Sequence, residues 1–150
     1  RRVLFRSKIF WKGDEGYEAA RGATVWRLNK PNRFPAAVVQ AREAADVVAA
    51  VRLARARGLK VKACSGGHSW TSPHVRDGAM LIDLGRMRNV AIEPDGKSAW
   101  AEPGTHGMVL NTELGKRNLI TPTGHHSDVA IGGFMKQVQR KTLSPYIGYR

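Results

Sequence analysis

The residues with the clearest chemical potential form one short loop after an apolar run: Ser65-Gly66-Gly67-His68-Ser69. Two adjacent glycines lack a Cβ, so they adopt positive φ readily and allow the backbone to approach a ligand closely. Successive N–H groups of residues 65–68 would then line a concave anion site that suits a pyrophosphate. Holding phosphate does not require an imidazole, so His68 indicates a second task for the same loop.

This loop resembles the Arg-Ser-Gly-Gly-His-Ser signature of FAD-linked oxidases of the vanillyl-alcohol oxidase and p-cresol methylhydroxylase (PCMH) type. The nearest branch is that of the berberine bridge enzyme-like proteins. The resemblance implies that residues 65–69 wrap the FAD diphosphate and that His68 is bonded covalently to the 8α carbon of the isoalloxazine. Cys64 stands where the family usually has arginine, which leaves the attachment intact but removes one local cation.

Two further segments resemble the same family. Pro103-Gly104 precedes a predicted helix at the place of a small glycine element close to the flavin, so Gly104 is expected beside the cofactor. Residues 121–134 resemble a Gly-x-x-x-x-Val-Gly-Val-Gly-Gly stretch that packs along the flavin and returns to the diphosphate. The resemblance implies that this stretch supplies five cofactor-binding residues: Gly124, His126, Ile131, Gly132 and Gly133.

The chain departs from the family pattern at two positions of that stretch. Bicovalent members carry a cysteine where this chain has His126, and Cys64, the only cysteine, lies in a different segment. The resemblance therefore implies one covalent bond to FAD, through His68. Ala130 replaces a frequent glycine, a small change that is tolerated if its φ stays negative.

The resemblance implies an FAD-dependent oxidoreductase of oxidase type. Such an enzyme removes a hydride from a C–H or alcohol-type donor on a small molecule, and oxygen commonly reoxidises the flavin. The flavin carries the redox chemistry, while the protein supplies binding, orientation and electrostatics. In the family the catalytic base comes from regions that follow the matched segments, so no catalytic residue is predicted in this chain.

Two alternatives remain at the level of sequence. One is an FAD-dependent dehydrogenase or reductase of the same superfamily that holds FAD without a covalent bond, as the bacterial cell-wall precursor reductases do. The other is a basic nucleic-acid-binding module, since the formal net charge is +13. Eight of these charges come from residues 1–8 and 136–150, which contain no acidic residue. This end-loaded distribution and the lack of a nucleic-acid motif argue against the second alternative, so no nucleic-acid partner is predicted.

The apolar patterns that must position these residues predict an α/β or α+β fold, and the family resemblance implies the α+β fold of the first part of a PCMH-type FAD-binding domain. Residues 33–40, 42–57 and 60–64 form a predicted strand–helix–strand (βαβ) unit, which is typical of a parallel strand pair. Hairpin-connected strands and a helix follow, and a short helix precedes the unit. Their predicted ranges are 79–84, 89–93 and 97–101 for the strands, 105–117 for the later helix and 14–20 for the earlier one.

The remaining histidines do not have the spacing of a metal site, because zinc ligands recur at fixed intervals and usually include cysteines or carboxylates. Adjacent His125 and His126 cannot both point at one ion from regular structure, so no metal is predicted. We expect His74 to be a solvated loop residue, Trp70 to pack on the core, and Cys64 to be a buried, inert thiol.

The organisation predicted from the sequence is the front part of a longer enzyme. Residues 1–8 look like an artefactual or disordered leader, residues 9–135 like the N-terminal part of an FAD-binding domain, and residues 136–150 like a divergent basic tail. The sequence contains no signal peptide and no apolar run long enough to span a membrane. These features slightly favour a cytoplasmic location and predict no membrane partner.

Overall fold

A computed structural model describes residues 8–96 and 98–135. Its regular elements run in the following order along the chain: β1 (Lys8–Trp11), α1 (Tyr17–Ala23), β2 (Ala37–Gln40), α2 (Ala44–Ala56), β3 (Val61–Cys64), β4 (Met80–Asp83), β5 (Val90–Ile92), β6 (Ala99–Ala101) and α3 (Gly107–Gly115). A further helical stretch occupies residues 131–135. The mixture of helices with parallel and antiparallel strands confirms the predicted α+β class.

The main sheet has four strands in the order β1-β2-β4-β3. The three strands β2, β4 and β3 are mutually parallel, and β1 adds an antiparallel edge beside β2. Gln40, Cys64 and Asp83 are therefore aligned at one edge of the sheet, where the parallel strands end. The glycine loop, residues 65–69, begins at this edge, so the edge fixes the position of the loop.

Each face of the sheet packs against a helix. Val39, Met80 and Ile82 share a core with Ala50 and Ala54 of α2. Val38 and Leu81, one residue out of step, point to the opposite face and pack with Tyr17 and Ala20 of α1. The two cores follow from the period of two along a strand, and continuous apolar runs are typical of parallel strands buried on both faces.

A smaller unit follows the main sheet. Strands β5 and β6 form a separate antiparallel hairpin, with Val90 opposite Ala101. Leu110 and Leu114 of α3 and Ile131 pack against this hairpin, which gives the unit its own core. The unit carries residues 103–108 and 124–133 towards the glycine loop.

Two predictions about strand pairing need correction. The strands of the βαβ unit, β2 and β3, are parallel but not adjacent, because β4 lies between them. Residues 79–84 were expected in a run of hairpin-connected strands, whereas β4 pairs only within the main sheet and β5–β6 alone forms the hairpin. Met80, Leu81 and Ile82 are fully buried. A central parallel strand is buried on both faces, whereas the edge strand of a hairpin need not be.

Helix bounds and the chain ends differ modestly from the sequence prediction. The helices α1, α2 and α3 occupy the predicted regions, and α1 continues through Gly22 to Ala23. Lys8, assigned to the leader segment, is the first residue of β1 and pairs with Gln40. The rest of the leader and the basic tail, residues 1–7 and 136–150, lie outside the described residues. Within the part of the chain that is described, no helix has the length and apolar character needed to cross a membrane.

Candidate functional site

The site is built at the edge of the sheet where β2, β4 and β3 end. Ligands of open parallel sheets bind in the crevice outside the carboxyl ends of the strands. The glycine loop, residues 65–69, begins directly after Cys64, which is paired with Asp83 of β4. The loop is therefore held by a strand that is fixed in the sheet.

Gly67 determines how the loop turns. Its φ is +67°, and a Cβ built on it would lie 2.1 Å from the carbonyl oxygen of Thr24. The Gly67 carbonyl accepts a hydrogen bond from the N–H of Trp26 at 3.4 Å. Because Thr24 is itself buried, the loop is pressed against the end of α1 at a position that only glycine fits.

Most N–H groups of the loop remain available to a ligand. Among the residues that the structure describes, none accepts a hydrogen bond from the backbone N–H of Ser65, Gly66, His68 or Ser69. The N–H of Gly67 differs, because it faces the sulfur of Cys64 and tends to lower the thiol's pKa. The Gly67 N–H was expected in the anion site and is instead directed at Cys64, so the donors left for an anion-binding nest are those on either side of Gly67, whose φ is positive.

The third matched segment packs against this loop. A Cβ on Gly66 would lie 2.7 Å from the Cβ of Ala130, so the two segments touch without space for another carbon. The φ of Ala130 is not positive. This is the condition under which alanine can replace the glycine that the family frequently has at this position. A Cβ on Gly133 would lie 3.8 Å from the Ser65 hydroxyl, so residues 130–133 run beside the loop.

Backbone hydrogen bonds tie residues 103–108 to that segment. Ile131 N–H donates to Thr105 at 2.9 Å, Gly132 N–H to Pro103 at 3.0 Å and Gly107 N–H to Val129 at 3.0 Å. The three segments identified in the sequence, which are separated by tens of residues, therefore converge on one place.

Two side chains, Trp26 and Asp128, position the ring of His68. The indole of Trp26 stacks on the imidazole, with centroids 5.7 Å apart and planes 7° apart. His68 Nε2 lies 3.4 Å from Oδ1 of Asp128, and the same carboxylate oxygen accepts a hydrogen bond from Nδ1 of His126. The histidine named from the sequence as the attachment point thus lies in an aromatic and acidic environment, with 23% of its side chain exposed.

A cleft of about 240 Å³ opens beside the loop. It lies between the strand ends and the β4–β5 connection, and its charged or titratable lining residues are Cys64, Asp83, Arg86, Arg88 and His106. Burial raises the pKa of Asp83, although the Gly85 N–H and both arginines act against this. Burial, with help from Arg88, lowers the pKa of His106, so His106 is neutral at pH 7. A larger open groove at Lys12 and Phe34 contains none of the predicted site residues.

Several glycines predicted as site residues are packed tightly against other segments of the protein. A Cβ on Gly104 would lie 2.5 Å from the Leu84 carbonyl oxygen, and one on Gly124 would lie 2.7 Å from the Val129 side chain. A Cβ on Gly132 would likewise lie too close to Pro103. The absence of side chains at these glycines is thus required by packing between the segments. Ile131 is buried in the core of the smaller unit, and Ser69 is exposed.

Two expectations for single side chains were wrong. His74 is buried, not solvated, and its Nε2 donates to the Thr24 carbonyl at 2.9 Å. Trp70 is 71% exposed and contacts Trp26 edge to face instead of packing on the core. Cys64 is buried as expected, and burial, followed by the Asp83 charge, raises the pKa of its thiol to about 12.

Several residues of the site were not predicted from the sequence: Trp26, Asp128, Arg86, Arg88 and His106. Trp26 and the arginines lie outside the matched motifs and reach the site only through folding. Asp128 carried a usable signal, because it is the one carboxylate within the histidine-containing stretch. The family pattern drew attention instead to the glycines around it.

The donor set of the site fits a dinucleotide with a diphosphate. Unpaired N–H groups in the loop match phosphate oxygens, and the two arginines beside the cleft match their negative charge. Because Gly67 has no Cβ, the loop can pack directly against the Thr24 carbonyl. The site therefore has donors and charge appropriate to FAD, with His68 at the end of the loop.

We expect His74 to make stability fall in mild acid. Burial, opposed by the bond to Thr24 and assisted by the Arg33 charge, lowers the pKa of His74 below 6.5. Below pH 6.5 the unfolded chain binds a proton that the folded chain rejects, so stability decreases as the pH falls towards the folded pKa. Chemical denaturation of wild type and His74→Gln from about pH 7.5 to 5 should show a flatter dependence for the variant.

A matched control is His125→Gln, which replaces an exposed histidine. It should follow the wild-type curve. Parallel curves for wild type and His74→Gln over this range would show that His74 is not held neutral by burial.

Comparison with known proteins agrees with this geometry. The family described as "FAD binding domain" matches residues 35–139. The FAD-linked oxidoreductase nodO of Hypoxylon pulicicidum is 36% identical over 132 residues, which cover 86% of this chain and 29% of that protein. Berberine bridge enzyme-like 27 of Arabidopsis thaliana is 28% identical over 104 residues, which cover 66% of this chain and 19% of that protein.

A solved structure has the same arrangement of elements. The 6-hydroxy-D-nicotine oxidase of Arthrobacter nicotinovorans superposes with a TM-score of 0.73 at 28% identity. The superposition covers 84% of this chain and 27% of the oxidase. The chain thus spans less than a third of the length of each of these proteins.

Proposed function

The chain belongs to the family of FAD binding domains, and from that premise we propose that it forms the FAD-binding part of a longer oxidoreductase with FAD linked covalently through His68. The membership agrees with the PCMH-type resemblance of the glycine loop. A relative that is about three times as long as this chain supports an arrangement in which residues 9–135 bind the cofactor and other regions have other tasks. Contacts to the substrate then belong largely to the rest of the enzyme.

The observation that carries the proposal is the convergence of unpaired N–H groups, two arginines and His68 at one sheet edge. The N–H groups of Ser65, Gly66, His68 and Ser69 bind the diphosphate oxygens. Arg86 and Arg88, which line the same cleft as Ser65 and Gly66, supply positive charge that compensates for the arginine that Cys64 replaces. Residues 130–133 run beside the loop.

His68 is the residue suited to the covalent bond. It follows the diphosphate loop directly, its ring is held by Trp26 and Asp128, and part of the ring remains exposed. The neighbouring thiol of Cys64 is unsuitable, because burial keeps it protonated and a thiolate is the nucleophilic form. His126, at the position of the second link in bicovalent members, is bonded to Asp128 and contacts His68.

The reaction proposed for the whole enzyme is oxidation of a small molecule. When bound, the flavin accepts a hydride from a C–H or alcohol-type donor and passes the electrons to oxygen. The residues of this chain bind and orient the cofactor and exclude water from its diphosphate. No base for the substrate is assigned among the described residues.

The test is the location of flavin after denaturation of the purified full-length protein. We expect flavin fluorescence to remain with the precipitated polypeptide and the supernatant to contain little FAD. Flavin found only in the supernatant would support the alternative, a dehydrogenase or reductase that holds FAD without a bond. Flavin in neither fraction would contradict the proposed function.

A further inference from the structure

The carboxylate of Asp128 lies between two imidazoles at the attachment site. Its Oδ1 is 3.4 Å from Nε2 of His68 and also accepts the hydrogen bond from Nδ1 of His126. The rings of the two histidines face each other at 6.5 Å between centroids. One negative charge is thus shared by two rings at the end of the diphosphate loop.

Asp128 remains ionised at neutral pH. Burial alone acts to raise its pKa, but the hydrogen bond from His126 and the charges of His68 and His126 outweigh this and hold the pKa below the usual range of a carboxyl. An ionised carboxylate only accepts hydrogen bonds. It therefore favours a proton on Nε2, the nitrogen of His68 that faces it.

We propose that Asp128 is a positioning residue for the covalent bond: it holds His68 as the Nε2–H tautomer, so that Nδ1 presents the lone pair that bonds to the flavin. This inference rests on the proposed function, because it assigns the partner of the same histidine. Trp26 supports the arrangement by covering one face of the ring. Together the two contacts restrict both the orientation and the tautomer of the imidazole.

The charge that develops during bond formation supplies the energetic reason. Nδ1 donates its lone pair to the 8α carbon, one C–H bond at that carbon breaks, and its proton leaves to solvent. The two electrons of the broken C–H bond stay on the flavin ring until dioxygen accepts them. Dioxygen also takes up two protons and becomes hydrogen peroxide. These two protons balance the one lost from the 8α carbon and the one lost from Nε2. The imidazole is positively charged as the new N–C bond forms. A carboxylate next to Nε2 stabilises that charge, as preorganised groups do in active sites.

The test measures covalent incorporation in Asp128→Asn, which keeps the shape of the side chain and removes its charge. Full-length apoprotein from riboflavin-starved cells is mixed with FAD, and bound flavin is followed over time on denaturing gels. We expect the variant to be slower by about tenfold or more, since an opposite charge within 4–6 Å favours a charged group by one pKa unit or more. Asp128→Glu should restore part of the rate.

Two controls separate this role from general damage to the site. Ser127→Ala changes an exposed neighbour on the same loop and should incorporate flavin at the wild-type rate. FAD affinity is compared in the His68→Ala background with and without Asp128→Asn, where no bond can form at position 68. We expect affinities within about twofold, because Asp128 contacts the imidazole ring of His68 and not the backbone N–H groups assigned to the diphosphate.

The position of the bond provides a readout that a structural role would not change. NMR of the isolated flavinyl peptide should show Nδ1 substitution in the wild type and a mixture of Nδ1 and Nε2 substitution in Asp128→Asn. An Nε2-linked wild type, or a variant within about twofold of the wild-type rate, overturns the inference while the covalent link itself stands. Wild-type protein without any covalent flavin overturns the proposed function and this inference together.

Discussion

Replacing His68 by alanine is expected to abolish flavin that survives denaturation, the largest effect on the cofactor that this site allows. The imidazole is the nucleophile in the proposed bond, and no neighbour replaces it: the Cys64 thiol stays protonated by burial, and His126 is bonded to Asp128. The diphosphate nest is formed by backbone groups, which the substitution leaves in place. His68→Ala should therefore still bind FAD, but release it on denaturation.

The measurement compares flavin fluorescence of the denatured polypeptide and of the supernatant for wild type and variant. His125→Ala is the matched control, because it removes an exposed histidine from the adjacent segment. It should retain the covalent flavin. A fluorescent polypeptide band in His68→Ala equal to that of the wild type would show that another residue carries the bond.

Replacing Gly67 by alanine is expected to cause the largest loss of stability among substitutions in the loop. At φ +67° a non-glycine residue costs about 1–2 kcal/mol. The new Cβ would also lie 2.1 Å from the Thr24 carbonyl oxygen and 2.7 Å from its carbon, so the buried backbone must move. Overpacking of this kind typically adds about 1–3 kcal/mol. The total expected loss is on the order of 3 kcal/mol, and FAD affinity should fall because the nest is displaced.

Gly58→Ala provides a matched control for the strain alone. Gly58 has a φ of +65°, and a Cβ there would meet nothing within 4 Å. Denaturant unfolding should give a loss of about 1–2 kcal/mol for Gly58→Ala and a clearly larger loss for Gly67→Ala. Equal losses for the two variants would mean that the contact with Thr24 does not constrain the loop.

The local features of the site were accessible from sequence because each depends on neighbouring residues. Adjacent glycines after an apolar strand predicted the loop, and Gly67 has the positive φ that this loop requires. The segments of the helices followed from apolar periodicity, and the α+β class followed from the family resemblance. The membership in the FAD binding domain family agrees with the motif around His68.

The remaining features depend on contacts between distant segments, which a single sequence does not reveal. The place of β4 between β2 and β3 follows from burial on both faces of the sheet. His74 was predicted to be a solvated loop residue, but the chain returns to Thr24, fifty residues earlier, and buries it. Trp26 and Asp128 come from segments before and after His68 in the chain, and only folding brings them to its ring.

The glycines also have a packing role that the sequence argument did not include. Gly66, Gly104, Gly124 and Gly132 were predicted beside the cofactor, and in each case a Cβ would strike the protein itself. Small residues here allow three segments to pack within contact distance. The proposed cofactor site uses the backbone groups that this packing leaves exposed.

The most direct measurement is identification of the residue that carries the flavin. The purified full-length protein is digested, the fluorescent peptide is isolated, and fragmentation by mass spectrometry locates the added mass of FAD. We expect one flavinyl peptide, with the modification on His68. A modification on any other residue, or a digest that yields only free FAD, would contradict the proposed covalent bond to His68.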